Sequence, residues 1–449
     1  MTIDPSLYES APPDLKLAQL HVYVRNGPRA PYELELFGKT LWTKCLASKT
    51  LGFPLRSPED ASSSAQAAGL VTVTTEPRGT FDPEKGDFAY HAPLHRSLCE
   101  PGELTDVGFT SAGNFGDALR SVYVDRLKFL PRHHPSPNSY YLRAANRPNE
   151  QDRFLQTLVR IAYGLWRSNT APRVHTRYRQ DNDLLPNWEC SRFNSLHNDW
   201  IEQHRNNMAK VLDPYQRTLS GLLMGRWVDP TSDVPDSLVD YVECAKAEGK
   251  PYPVTLQDPA LMSALKRVVA MRWWGFYTSK EAQKLSIGRL LTDLRLSMAR
   301  KVNNDDLDPL KLRLFTTGDA VMASSLIAFG IYDGHWIDFN ASLTFELFKR
   351  SPDTGSIVDS ETAHTSDNSG ASVNATPAPE SAHYVRAIYQ NKPLALPACA
   401  KPNKHYPGRP ELCTFEAFSD VVRAISAKNW WEECQKTGPM PWPEEGLFF

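Results

Sequence analysis

The sequence has no run of about 18 apolar residues, so no membrane-spanning helix is expected. It has no CxxC pair. Its seven cysteines (Cys45, Cys99, Cys190, Cys244, Cys399, Cys413 and Cys434) are scattered and odd in number, which does not suggest zinc. The opening stretch MTIDPSLYESAPPDLK lacks an apolar core for secretion, and Asp4, Glu9 and Asp14 are wrong for a mitochondrial transit peptide. Reduced thiols in a cytoplasmic protein are therefore expected. Charge of one sign is lacking as well. A formal net charge of −2 provides no global field for phosphate backbones, which excludes a general nucleic-acid or polybasic membrane binder. Any phosphate site must be local. There is no Walker loop, GxSxG elbow, HExxH pair or repeat of fixed period. The histidines of RHHP (132–135) have no partner ligands at useful spacing, so neither a metal nor another cofactor is expected.

What remains is an ordinary globular composition, 41% hydrophobic and 23% charged over 449 residues. That length suits two or three domains, or one large α/β domain with an insertion. The stretch HVYVRNGPRAP (21–31) reads as a strand through Val22 and Val24. It runs into a turn where Arg25 and Arg29 bracket Asn26, Gly27 and Pro28. A helix is predicted over 33–49, a pair of strands within 54–103, and a long helix after Thr105, its N-cap candidate. SYYLRAANR then repeats the first layout: strand, Arg143 at its end, helix. Both place a basic residue at the C-terminal edge of a sheet, where open α/β sheets bind ligands.

Residues 173–285 read as a helical insertion, a cap between the two α/β segments 15–172 and 286–449. Strand and helix alternate again over 287–349. The Ser, Thr, Asp, Ala and Pro of 351–382 predict a disordered loop. A strand, a loop carrying Cys399 and Cys413, and a helix over 414–435 close the chain.

Paired guanidiniums match phosphate oxygens and stay charged at any working pH, although on spacing alone Arg25 and Arg29 also fit a pair of surface arginines. Gly318 and Asp319 follow a strand and precede an apolar helix. An aspartate there caps the helix or serves as a general acid, capping being the commoner role. The tryptophan pairs at 273 and 430 fit packing better than stacking platforms.

Together these segments resemble the histidine acid phosphatases, the branch with a helical cap. The family's Arg-His-Gly-x-Arg-x-Pro stands here as Arg25-Asn26-Gly27-Pro28-Arg29-Ala30-Pro31. GELTDVGF and YVDRLKFLP, YYLRAANR with Arg143, TTGDAVMASSLIAFGIYDGHWIDFNASLTFELF, and YVRAIYQNKPLALPAC with ELCTFEAF are similar to its later blocks. They span about 15 to 434. VHTRYRQDNDLLPNWEC is similar to the lysophosphatidic acid phosphatase-like members. The resemblance implies a mainly parallel sheet flanked by helices, of the phosphoglycerate mutase-like kind, with an inserted cap. It also implies phosphate binding by Arg25, Arg29 and Arg143, and a proton donor at Asp319.

Two departures bear on function. The family's motif histidine attacks phosphorus, and Asn26 stands at that position. A carboxamide nitrogen has a delocalised lone pair and cannot replace it. The second histidine, before the aspartate, is Gly318 here. Neither His21 nor His335 sits where a replacement would be expected. The expectation is a catalytically impaired phosphatase that binds phosphate or a phosphomonoester. An active acid phosphatase and a non-binding interaction scaffold stay open.

Overall fold

The computed structural model describes the chain outside residues 1–2, 38–41, 46–51, 55–69, 73–79, 83–86, 90–98, 147–152, 168–170, 179–180, 305–306, 352–381 and 438–449. The predicted disordered loop therefore lies almost wholly outside the described residues.

The first strand, β1 (Leu15–Arg25), is the centre of the molecule, with Leu20, Val22 and Val24 fully buried. Short pairs follow: β2 (Gly52–Pro54) with β3 (Leu70–Thr72), and β4 (Thr80–Asp82) with β5 (Asp87–Ala89). The main sheet continues with β6 (Tyr140–Ala144), β7 (Val174–His175), β8 (Leu312–Thr317), β9 (Ser342–Arg350), β10 (His383–Tyr389), β11 (Lys392–Leu394), β12 (His405–Tyr406) and β13 (Arg409–Thr414). Its order is β12-β13-β10-β9-β1-β8-β6-β7, with β11 hanging on β10. The half containing β1, β8, β6 and β7 is parallel, and the half from β9 outward is antiparallel. Each crossover within the parallel half needs an intervening segment, so its strands are buried on both faces and read as near-continuous apolar runs.

Register sets the position of the site. Arg25 lies opposite Thr317, and Ala144 opposite Thr316. Parallel strands end on one edge, so Arg25, Arg143 and the Gly318–Asp319 pair gather there. The turn after β1 is clamped by α1 (Asp106–Leu119), whose N-cap Thr105 accepts from the Gly108 amide as expected. A Cβ at Gly27 would lie 2.7 Å from the Gly108 carbonyl oxygen, so only glycine lets helix and turn approach this closely. The helix widens into a π-helical turn over Arg120–Arg126 and stops at Lys128, whose φ of 52° is left-handed. After β6 comes α2 (Arg153–Trp166). Between β7 and β8 run α3 (Ser191–Leu212), α4 (Gln216–Leu222), α5 (Val234–Ala247), α6 (Pro259–Trp274), α7 (Lys280–Leu285) and α8 (Ile287–Asn303). Then α9 (Asp319–Ala328) starts at the site, and α10 (Phe415–Ala424) and α11 (Trp430–Cys434) end the chain.

Three expectations are corrected. The described parts of 33–49 form turns and extended chain, not a helix. Cys45, within that stretch, is fully buried and tied to Cys99, so tertiary packing overrides the local apolar spacing. The thiols are not reduced either: Cys45–Cys99, Cys190–Cys434 and Cys399–Cys413 are disulfides, leaving Cys244 as the free, buried thiol. Their partners lie 54, 244 and 14 residues apart, distances that no spacing rule connects. The single helix expected over 414–435 is broken at Ile425 into α10 and α11. No described helix is long and apolar enough to cross a membrane.

Candidate functional site

A cavity of about 340 Å³ opens at the C-terminal edge of the parallel half. Its floor is the turn after β1 and the start of α9, and its roof is α5 and α6. Arg25, Asn26, Arg29, Gly318 and Asp319 all line it. Arg143 does not. It is buried under the same edge, 5.2 Å from the Phe315 ring centroid, with its Nη2 2.6 Å from Asp183. Its Nε and Nη1 are buried without a partner among the described residues.

Every one of the three arginines already carries a carboxylate. Arg25 Nη2 lies 2.8 Å from Asp319 Oδ2 while Nη1 donates to the Ile337 carbonyl. Arg29 meets Asp240 with both terminal nitrogens, at 2.6 and 3.3 Å, and the Tyr32 amide donates to the same carboxylate. Burial works against the Arg29 cation, but Asp240 outweighs it and the guanidinium is held more firmly protonated than usual. Arg143 shares Asp183 with Arg177. Each pair is a bidentate or charge-assisted contact, the kind of contact that phosphate oxygens also make with guanidinium groups.

Asp319 is the first residue of α9, not its N-cap. Gly318 takes the cap position with no side chain to offer, and Asp319 Oδ1 accepts from the Ala320 amide while Oδ2 meets Arg25. Asn26 is almost fully buried. Its amide proton reaches the Thr317 carbonyl, its carbonyl accepts from Asn340, and its side-chain Nδ2 donates to Gly27 at 2.9 Å. His21 is buried inside β1 against Gln19, and desolvation keeps it neutral; His335 is exposed on the far side of Asp333. No histidine or cysteine lines the cavity among the described residues. Cys244 lies behind Arg29, and burial pushes its thiol well up, away from the reactive thiolate.

Several lining residues escape a sequence reading. Asp233, Asp236 and Asp240 come from α5 or its cap, Glu33 from the turn, and Arg153 from α2. Three lining cations (Arg25, Arg29, Arg153) thus face five carboxylates (Glu33, Asp233, Asp236, Asp240, Asp319). Trp273 and Trp274, expected to be packing, line the cavity with Trp188 and Trp336. Helical spacing does place Asp233, Asp236 and Asp240 on one face of α5, but nothing in the sequence says that this face meets Arg29.

Burial pushes Asp236 up from 3.8 to about 6, against the pull of Arg272. Its folded value lies above its ordinary one, so its contribution to stability is complete below 3.8 and lost as pH rises through about 6. Protonation also removes one negative charge from the cavity wall. Sulfate, whose charge is constant over this range, is expected to bind several-fold more tightly at pH 5 than at pH 7.5. Asp236→Asn should flatten that dependence. Calorimetric titration at both pH values checks it, and an equal slope in the variant would assign the dependence to another group.

The molecule is thus an α/β protein whose mixed sheet carries a cavity with Arg25 and Arg29 at its parallel edge, under a helical roof. The family model described as histidine phosphatase superfamily (branch 2) matches residues 16–390, and the chain belongs to that family. A probable acid phosphatase of Schizosaccharomyces pombe is 27% identical, covering 94% of this chain and 95% of its own length. Lysophosphatidic acid phosphatase type 6 of Mus musculus is 24% identical over 75% of this chain and 76% of its own. Among solved structures, the phytase of Klebsiella sp. ASR1 superposes with a TM-score of 0.57 at 13% identity, covering 96% of this chain and 99% of the phytase. That likeness establishes the fold.

Proposed function

We propose that the protein binds phosphate or a phosphomonoester in this cavity without forming a phosphohistidine. The observation that carries the reading is the residue between the two cavity arginines. It is Asn26, whose carboxamide has no nucleophilic lone pair and whose nitrogen is engaged with Gly27. Arg25 and Arg29 hold the anion from two sides, and Arg143 supports the edge from below. Asp319 stands at the proton-donor position and Gly318 at the second histidine position. Helices within 173–285 act as the cap that selects the rest of the ligand, and three disulfides favour an oxidising compartment over the cytosol.

A second reading, a working acid phosphatase using water, is favoured by the retained Asp319 and by the names of the relatives. A third, a scaffold that binds no phosphate, is favoured by the carboxylate on each arginine. One experiment separates all three. Phosphate release from an aryl phosphate is followed from pH 4 to 8 for wild type and Arg25→Ala, with melting recorded with and without phosphate. The expected result is no release above the variant and a wild-type stabilisation of about 2.7 kcal/mol at 100 times Kd, absent in Arg25→Ala. Turnover abolished by Arg25→Ala would establish the second reading. A melting point indifferent to phosphate and to aryl phosphate would leave the third.

A further inference from the structure

At the opposite end of β1 lies a larger cavity, about 690 Å³, that the phosphate reading does not use. From Lys16 to Arg25 the strand runs nine residues, roughly 30 Å at the usual rise, so the two cavities are separate. The second one is lined by six cations: Lys16, Lys128, Lys301, Lys311, Lys349 and Arg350. No carboxylate lines it among the described residues, although the whole chain carries a net charge of −2. Asp14 meets Arg350 from outside the lining, and Lys301 donates to the Asp308 carbonyl. Lys16, Lys128 and Lys311 are exposed. None of the three has a carboxylate partner among the described ion pairs; Lys311 reaches the Phe129 carbonyl, at 3.3 Å, and lies 5.3 Å over the Phe129 ring.

Lys16 stands directly opposite Lys349 in the β1–β9 register. Lys128 joins them from a left-handed backbone conformation that non-glycine residues seldom adopt. The rest of the wall is apolar: Leu17, Leu127 and Phe129 are half-buried, and Leu15 and Phe348 are buried beneath them.

We propose that this cavity is a second ligand site, taking an anionic amphiphile. Its acid group sits among Lys16, Lys128 and Lys311, and its apolar chain lies along Leu17, Phe129 and Phe348. A dissolved amphiphile and a lipid headgroup supply the same chemistry, so the test has an arm for each. Calorimetry with decyl sulfate below its micelle concentration, with sulfate alone and with neutral decyl maltoside gives the first arm. Co-sedimentation with phosphatidylglycerol against phosphatidylcholine vesicles gives the second.

Decyl sulfate should bind wild type more tightly than sulfate or decyl maltoside. Lys16→Glu combined with Lys128→Glu should weaken it roughly tenfold or more, through loss of charge-assisted contacts. The same loss should appear in an Arg25→Ala background, where the first cavity no longer takes the sulfate group. Melting of the lysine variant close to the wild-type temperature would show that it folds, since both substituted lysines are exposed. Binding to phosphatidylglycerol vesicles that the lysine variant loses would identify a membrane as the source; binding of decyl sulfate alone would identify a dissolved ligand. Loss of decyl sulfate binding in Arg25→Ala but not in the lysine variant, or no preference for it over decyl maltoside, overturns the proposal. Because Arg25 and the lysines are tested separately, failure here and failure of the phosphate reading are distinguishable.

Discussion

Placing histidine at both altered positions, Asn26→His with Gly318→His, is expected to raise aryl-phosphate hydrolysis by about 10³-fold or more over wild type. Loss of a nucleophile has cost about 10⁶ in a serine protease, and a restored site without refinement recovers part of such a factor. The backbone already permits both changes. Gly318 has φ −89° and ψ 173°, extended values open to any residue, and a Cβ there would meet only Leu185 Cδ2, at 3.4 Å. Asn26 is pinned through its main chain to Thr317 and Asn340, so a new imidazole would leave the turn in place and project into the cavity. Arg25 and Asp319, the proposed anion holder and proton donor, stand 2.8 Å apart.

Asn26→His alone should supply most of the gain, because residues that act as a unit do not contribute additively. Acid-labile phosphate on the protein during turnover would report the covalent intermediate. A double variant that melts like wild type, binds phosphate and shows no added turnover would mean that the carboxylates on the arginines, not the missing histidines, keep the site silent.

That contrast reflects what was visible along the chain. The alternation of Val22 and Val24, ending at Arg25, is a local signal, and β1 forms where it predicts. So are the Thr105 cap and the strand before Gly318. Each depends on neighbours within a few residues. The carboxylates that hold the arginines depend on separations of 211 residues for Asp240 and 40 for Asp183, which local periodicity does not encode. The disulfides fail for the same reason, since closing a 244-residue separation is a property of the folded chain alone. The stretch 33–49 shows the reverse error. Its apolar residues recur near helical spacing, yet they serve a compact cluster around Trp42, Cys45 and Tyr241, where contact with α5 outweighs intrinsic propensity.

The antiparallel half of the sheet carries the largest stability effect expected of a single substitution. Glu346 and Arg386 face each other across β9 and β10, both fully buried. Glu346 accepts from Tyr8 at 2.8 Å, from Tyr123 at 2.9 Å and from Arg386 Nε at 2.7 Å. Arg386 also donates to the Glu9 carbonyl, which ties the N-terminal segment to the sheet. Removing one member leaves an uncompensated charge in a medium where desolvation costs several kcal/mol. Glu346→Leu should therefore lower unfolding stability by about 3–5 kcal/mol.

Removing both charges is a different experiment. Glu346→Leu with Arg386→Leu should recover the part due to the unpaired Arg386 charge, leaving roughly 1–3 kcal/mol in total for the tyrosine hydroxyls deprived of their acceptor. Tyr8→Phe should cost least, about 1 kcal/mol, because Glu346 keeps its bonds from Tyr123 and Arg386, and Arg386 Nη2, which loses the Tyr8 hydroxyl, keeps Glu346. Urea midpoints for the three variants check the order. Phosphate-induced stabilisation should be the same in all of them, since the network lies across β9 and β10 and away from Arg25. A single Glu346→Leu variant as stable as wild type would mean that solvent reaches Arg386 and that the pair is not sealed in the core.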